Sequence, residues 1–374
     1  MIIKEWRFGS NIESVSIKHN VSPQPQHPAP QASTSTAHYQ QTTINRGFLH
    51  LCKRCKHMEL EIKPYEEWMR EQVVALFDAE YQTGANTFSS LFDNFYEHPF
   101  QNDHCIRIVS TSGDTVAGFQ SFFYWPLMYK GQVIRAFQSG NSLVHPDFRG
   151  KGLFGKLLNY IHLPENNFDF DLLIGFPVPM SYGSFMRKDW KNPFNLQWYV
   201  KPLNPITAVF SSPESQLRKA WSERKKLNFT GPKEVNYIAQ QSDFDDYRFS
   251  FEEGSYYRFT YESGEEKSFF ELKAQTRKKF IRELMIGKFL CSNLNPEFVS
   301  EAFNALVKSV RQSASFSMLS IAVNPGNTFL VKTLDQNGFR SINRSIHFIA
   351  KGPVADEITD WSDWWVFRGD IDTW

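Results

Sequence analysis

Cysteine is scarce. Cys52, Cys55, Cys105 and Cys291 are the four in a chain of 374 residues, too few and too scattered for a disulfide framework. A reducing compartment, the cytoplasm, is the expectation. An excess of charge of one sign is lacking as well: 41 Lys and Arg stand against 40 Asp and Glu, a formal net charge of +1. No bulk field then draws DNA or an anionic membrane, and nucleic acid is not an expected partner. Long apolar runs are also missing. Nothing approaches the ~20 residues that span a bilayer, and Met1 to Ser16 lacks the apolar middle of a signal peptide, so no membrane insertion is expected.

Rings, by contrast, are abundant. Phe, Tyr and Trp number 35, 14 and 10, which predicts aromatic cores and an aromatic wall in any substrate cleft. Residues 20–45 carry Pro23, Pro25, Pro28 and Pro30 among Gln, Ser, Thr and Ala, a composition that buries too little to offset its ordering entropy. Residues 1–57 accordingly read as a disordered tail, or as an extension upstream of a natural start at Met58. Within them His50, Cys52, Cys55 and His57 have one half of a zinc pattern; no second ligand pair follows, and no metal site is expected.

Order is expected from Met58. Residues 59–62 alternate as a strand, and Pro64 is placed to open a helix with Met69, Val73, Leu76 and Phe77 on one face. From Cys105 the periodicity predicts an antiparallel meander: a strand at residues 106–109, a second over 116–124, and a third over 133–144, with turns at Ser112-Gly113-Asp114 and Lys130-Gly131. A helix follows from Gly152 with Leu153, Leu157, Leu158 and Ile161 inward, then a buried strand over 170–176. The charged stretch from Arg218 to Lys226 reads as a solvated helix face joining two lobes. Beyond it, strands resume near Tyr256, a helix runs from Pro296 to about Arg311, a strand covers 318–323, and Asn324-Pro325 is placed to start a helix that Gly338 ends.

A faint repeat supports two lobes. Leu172-Leu173-Ile174, a helical stretch, Trp190 and Tyr199-Val200-Lys201-Pro202 are echoed by Leu319-Ser320-Ile321, a helix, Phe339 and Phe348-Ile349-Ala350-Lys351, with nine residues from ring to ring in both. The expected domains are 58–205, which carries the chemistry, and 206–374, an α/β lobe.

The chemistry concentrates at Asn141-Ser142-Leu143-Val144-His145-Pro146-Asp147-Phe148-Arg149-Gly150-Lys151-Gly152-Leu153-Phe154-Gly155. A strand ends at Pro146 and a helix begins among the glycines. Free N–H groups at a helix start carry partial positive charge and receive a phosphate, and Gly150 and Gly152 allow a close approach. Arg149 and Lys151 add charge that can also reach a ribose phosphate. The spacing is not the GxxxxGK of a nucleoside-triphosphate loop, nor the GxGxxG of a dinucleotide fold. His145, just before Pro146, reads as a loop cap.

This segment resembles motif A of the GNAT superfamily of N-acetyltransferases, whose pattern is Gln or Arg, two residues, Gly, one residue, and Gly or Ala. Arg149 and Gly152 match; Phe154 stands at the last position, with Gly155 beside it. The resemblance covers about Met58 to Leu203. It implies an α/β fold, a mixed and largely antiparallel sheet flanked by helices; the second lobe is then either a degenerate copy, as in two-lobed bacterial members, or an unrelated α/β extension. It further implies acetyl-CoA or another acyl-CoA as co-substrate. Backbone N–H groups of Gly150, Lys151, Gly152, Leu153, Phe154 and Gly155 would hold the pyrophosphate, and Leu143 and Val144 would pair with the pantetheine arm.

The family places an acidic Tyr early in the helix after the next strand; here that is Tyr182, the expected proton donor to the CoA sulfur. No residue is assigned as the base. Asp189 stands before Trp190 where relatives carry Gly. At the C-terminus Trp361, Trp364, Trp365 and Trp374 crowd around Asp370 and Asp372. The plain reading is a last strand on the second lobe; the sharper one brings Asp370, Asp372 or the terminal carboxylate to the acceptor site. The resemblance thus implies an acyl-CoA-dependent N-acyltransferase acting on a small primary amine, with an amino sugar of surface polysaccharide as the favoured acceptor. A non-catalytic acyl-CoA sensor and an aminoacyl transferase on a related double fold are the alternatives.

Overall fold

The structure, a computed structural model, describes residues 59–81, 87–203, 229–250, 256–277, 281–313 and 316–372. The proline-rich stretch, the Cys52 and Cys55 segment, the charged stretch from Arg218 to Lys226 and Trp374 lie outside the described residues. Glu59–Trp374 forms one compact unit.

The strands are β1 (Leu60–Pro64), β2 (Ile106–Ser112), β3 (Thr115–Tyr124), β4 (Leu127–Tyr129), β5 (Gln132–Ile134), β6 (Ala136–Val144), β7 (Leu172–Gly175), β8 (Lys191–Pro202), β9 (Asn236–Ile238), β10 (Tyr256–Ser263), β11 (Glu266–Arg277), β12 (Ile281–Cys291), β13 (Met318–Val323), β14 (Arg340–Lys351) and β15 (Trp364–Trp365). The helices are α1 (Arg70–Tyr81), α2 (Thr87–Phe92), α3 (Pro99–Asn102), α4 (Leu153–Tyr160), α5 (Pro179–Met186), α6 (Ser242–Phe249), α7 (Pro296–Ser313), α8 (Thr328–Gln336) and α9 (Pro353–Glu357).

Among the described residues one sheet has eleven strands in the order β1-β2-β3-β6-β7-β14-β8-β13-β12-β11-β10, and a small one has the order β15-β9-β4-β5. The large sheet reads the same from both ends once β1 is set aside. β6 runs parallel to β7 through the α4 crossover, and β12 runs parallel to β13 through α7. The strand after the next helix then leaves its own half: β8 pairs with β13, while β14 pairs with β7, and the two exchanged strands pair with each other at the centre. The repeat in the sequence has this physical counterpart. Its buried triplets are the cores of β7 and β13, and its second members lie in β8 and β14. Even the turns correspond. Gly338, at φ 74°, precedes Phe339, and Asp189, at φ 58°, precedes Trp190, so Asp189 occupies a left-handed position that a Gly adopts without the Cβ penalty.

Local readings needed four corrections. Pro64 ends β1 rather than opening a helix, a position that needs no ladder N–H, and α1 starts at Arg70 after a short 3-10 turn. Residues 133–144 are two strands: Arg135 separates β5, in the small sheet, from β6, in the large one. The buried strand expected over 170–176 is confined to β7. Finally, α8 is capped not by Asn324 but by Asn327, whose Oδ1 accepts from the Leu330 N–H at 2.9 Å; the Asn324 amide donates to the Trp361 carbonyl instead.

Candidate functional site

The residues at the end of β6 do two things at once. Parallel pairing with β7 stops at Ser139 opposite Gly175, so the two strands splay beyond that point. On the other edge the β3 register passes from Phe119–Leu143 to Ser121–Gly140, which leaves Asn141 and Ser142 as a bulge, with Asn141 at φ 46°. The His145 N–H bonds to the Ala117 carbonyl of the β3 side. Strand alternation therefore turns the Val144 amide the other way, into the splay. Leu143 is nearly buried and pairs with Phe119.

His145 then caps the short turn at Pro146–Phe148, its Nδ1 accepting from the Asp147 N–H at 3.3 Å. Gly150 and Gly152 both take left-handed conformations, φ 76° and 72°, and a Cβ at either would meet nothing within 4 Å. Both border open space. α4 starts at Leu153 with Gly152 as N-cap and no side chain capping it, so its first N–H groups lack intrahelical acceptors and face outward. They open on a cleft of about 590 Å³ lined by Val144, Phe148, Arg149, Gly150, Gly152, Leu153, Phe154, Gly155, Ser184, Arg187 and Lys188. Three cations and no carboxylate are in that lining. Such a site favours an anion, and its shape at a helix start suits a phosphate.

The second lobe supplies a control within the same molecule. Its topologically matching helix, α7, begins at Pro296, which has no N–H to offer, and Asn295 caps it: Asn295 Oδ1 accepts from Glu297 N–H at 3.0 Å and from Phe298 N–H at 3.5 Å. Where lobe one leaves its helix start open, lobe two closes it with its own side chain. The second vertex is also filled. Gly287 is the first residue past the last parallel pair, Ile286–Ile321, and the chain's last described turn lies on it, so that a Cβ on Gly369 would fall 2.5 Å from the Gly287 carbonyl oxygen.

The side chains sort differently from their order in the sequence. Arg149 is turned back: Nε donates to the Val144 carbonyl at 2.9 Å, and Nη2 pairs with Glu80 of α1 at 2.6 Å. Lys151 donates to the Asp147 carbonyl at 3.2 Å and lies over the Phe148 ring. Phe154 packs edge-on against Phe185, 5.5 Å between centroids, while Leu153 is buried in the core. The cations that sequence reasoning missed are Arg187 and Lys188, just past α5. Lys188 lies over Gly155, its Cε 2.9 Å from where a Cβ would stand. Tyr182 is not among the residues lining this cleft. Its hydroxyl donates to Asn192 Oδ1 at 3.1 Å and its ring stacks on His347 at 4.2 Å; burial lowers the His347 pKa.

The C-terminal segment divides the two aspartates. Asp370 is buried and paired with Lys288, Oδ1 to Nζ 3.0 Å, with its pKa raised by burial against the pull of Lys288; it faces lobe two. Asp372 faces lobe one. A Cβ on Gly140, at the vertex of the splay, would fall 2.7 Å from Asp372 Oδ2 and 2.7 Å from the Phe123 ring. Buried Arg248 holds the segment, donating to the carbonyls of Gly369 at 2.9 Å, Ile371 at 2.7 Å and Asp372 at 3.3 Å. Among the described residues no group of three or more His, Cys, Asp or Glu is arranged to hold a metal, and no helix is long and apolar enough to cross a membrane.

A parallel pair that splays beside a bulged strand occurs in both lobes, the glycine turn and the uncapped helix in lobe one alone, and the fold is that of the GCN5-related N-acetyltransferases. Among solved structures the chain is similar to a GCN5-related N-acetyltransferase from Anabaena variabilis, with a TM-score of 0.56 at 9% identity over 78% of this chain and 72% of that one. One from Kribbella flavida gives 0.54 at 10% identity, over 79% and 73%, and a probable N-acyltransferase from Enterococcus faecalis 0.54 at 11%, over 79% and 73%. At these identities the likeness is one of fold. No protein-family profile matches the sequence, and no curated protein sequence matches it.

Proposed function

We propose that the protein is an acyl-CoA-dependent N-acyltransferase that transfers an acetyl group to a primary amine in the cytoplasm. The observation that carries this reading is the open helix start of lobe one, with Arg187 and Lys188 beside it and the splayed edge of β6 leading away from it. The amides of residues 150–155 would take the pyrophosphate, and the Val144 edge would take the pantetheine arm. The thioester would then arrive at the Gly140 vertex.

In the reaction the amine nitrogen bonds to the thioester carbonyl carbon and the C–S bond breaks. The nitrogen loses a proton and the departing thiolate gains one. A main-chain N–H at the bulge polarises the carbonyl, a contribution of about 3 kcal/mol for one well-placed donor. Asp372, at the vertex, takes the proton from nitrogen. Tyr182 donates to sulfur, released from Asn192 when CoA is bound. An amino sugar as acceptor is supported by a second cleft, of about 570 Å³, where Phe194 and Trp361 stand among Asn195, Gln197, Asn324, Ser345 and Asp360: rings, amides and one carboxylate suit a hydroxylated ammonium.

The test is thiol release from acetyl-CoA with a panel of amines, including amino sugars, with the acylated product weighed by mass spectrometry. CoA release that depends on the amine and equals product formed is expected. Tyr182→Phe should lower kcat by about 100-fold with the Kd for CoA unchanged; full activity removes Tyr182 from the chemistry. Acetyl-CoA binding with no amine-dependent release would make the protein a sensor.

A further inference from the structure

We infer that Phe123, backed by Tyr96, forms the end wall of the acyl site and restricts the transferred group to two or three carbons. This rests on the acyl-CoA reading above, which brings the thioester to the Gly140 vertex. Whatever extends past that vertex on the Phe123 face meets a closed surface. The Phe123 ring already lies so near Gly140 that a single added carbon there would be 2.7 Å from it, well inside van der Waals contact.

The wall cannot easily give way. Phe123 and Tyr96 are both fully buried and stacked, 5.4 Å between centroids at 18°. Phe95 tilts against Phe123 at 5.7 Å, and Phe119 stands edge-on to Tyr96 at 5.8 Å. Such aromatic packing resists a rotamer change in any one ring. The Tyr96 hydroxyl is pinned too. It donates to Ser121 Oγ at 3.0 Å and accepts from Asn141 Nδ2 at 3.0 Å, and Ser121 Oγ donates to the Gly140 carbonyl at 2.8 Å. Wall and bulge are thereby one hydrogen-bonded unit. The same added carbon would also lie 2.7 Å from Asp372 Oδ2, a carboxylate and a poor neighbour for an alkyl chain.

The experiment compares acetyl-, butyryl- and hexanoyl-CoA in the full chain, unsubstituted and as Phe123→Ala and Phe123→Leu, by kcat/KM for thiol release and by calorimetric Kd. The unsubstituted protein should prefer acetyl-CoA over hexanoyl-CoA by about 100-fold, and Phe123→Ala should raise the hexanoyl-to-acetyl ratio by about tenfold or more. Phe123→Leu keeps the core filled and should shift the ratio the same way by less, which covers failure of the alanine variant to fold. Equal use of acetyl and hexanoyl chains by the unsubstituted protein, or an unchanged ratio in a folded variant, would overturn the inference. Were no acyl-CoA consumed, the transferase reading would fall, while the Kd series would still decide this one: equal values for the three chains would contradict a wall at Phe123.

Discussion

Exchanging Gly152 for Val is expected to raise the Kd for CoA by about 100-fold or more. Two costs combine. The position sits at φ 72°, where a β-branched residue is strained by about 1–3 kcal/mol, so the turn would relax away from its conformation. The relaxation or the new side chain would displace the amides that meet the pyrophosphate. Each charge-assisted hydrogen bond lost is worth about 1.5–3 kcal/mol, and two of them account for about two decades of affinity. Because nothing lies within 4 Å of a Cβ there, the empty protein should fold with only a modest loss of thermal stability. Calorimetry with CoA reads the effect, and an unchanged Kd would remove the glycine turn from the binding site.

Asp372→Asn should lower kcat by roughly 100- to 10,000-fold, the range general-base removal covers, while the Kd for CoA stays within about twofold. The substitution is nearly isosteric and Arg248 holds the segment through main-chain carbonyls, but the carboxylate also offsets the charge of buried Arg368, so a melting curve accompanies the assay and turnover is compared at a temperature where the variant is folded. A Gly140 vertex that needs no base from Asp372 would show full turnover in this variant. The neighbouring aspartate is not the one to test, because Asp370 is paired with Lys288 and lies away from the Gly140 vertex that Asp372 Oδ2 approaches.

Much of lobe one was legible because its signals are local. A strand, a Pro-led turn, two glycines and an amphipathic helix lie within the 25 residues from Ala136 to Tyr160, and each speaks through backbone preference or helical period. His145 as a loop cap was readable for the same reason. The nine-residue interval between rings was enough to bring out the repeat, since β8 and β14 are set by the same turn and the same apolar alternation. What the interval could not convey is that each strand crosses to the other half. That exchange depends on which sheet edge is free when the strand forms, a property of the tertiary structure. Arg187 and Lys188 escaped notice because they reach the cleft only through the packing of α5 beside α4. Asp372 and Phe123 meet at Gly140 from opposite ends of the chain. Conversely, Arg149 and Lys151 looked like phosphate ligands by position, yet the Val144 and Asp147 carbonyls and Glu80 hold them back. Pro64 and Pro325 misled for one reason: proline marks an interruption, and at both sites the helix begins a few residues later.

The central claim is that one lobe keeps an open helix start for an acyl-CoA while the other has closed its own. A crystal structure with CoA tests it most directly. The expected result is one CoA per chain, its pyrophosphate on the amides of residues 150–155 with Arg187 and Lys188 alongside, its sulfur at the Gly140 vertex, and no CoA at Asn295. Pyrophosphate density on the α7 start, or CoA bound away from the β6 splay, would contradict the account.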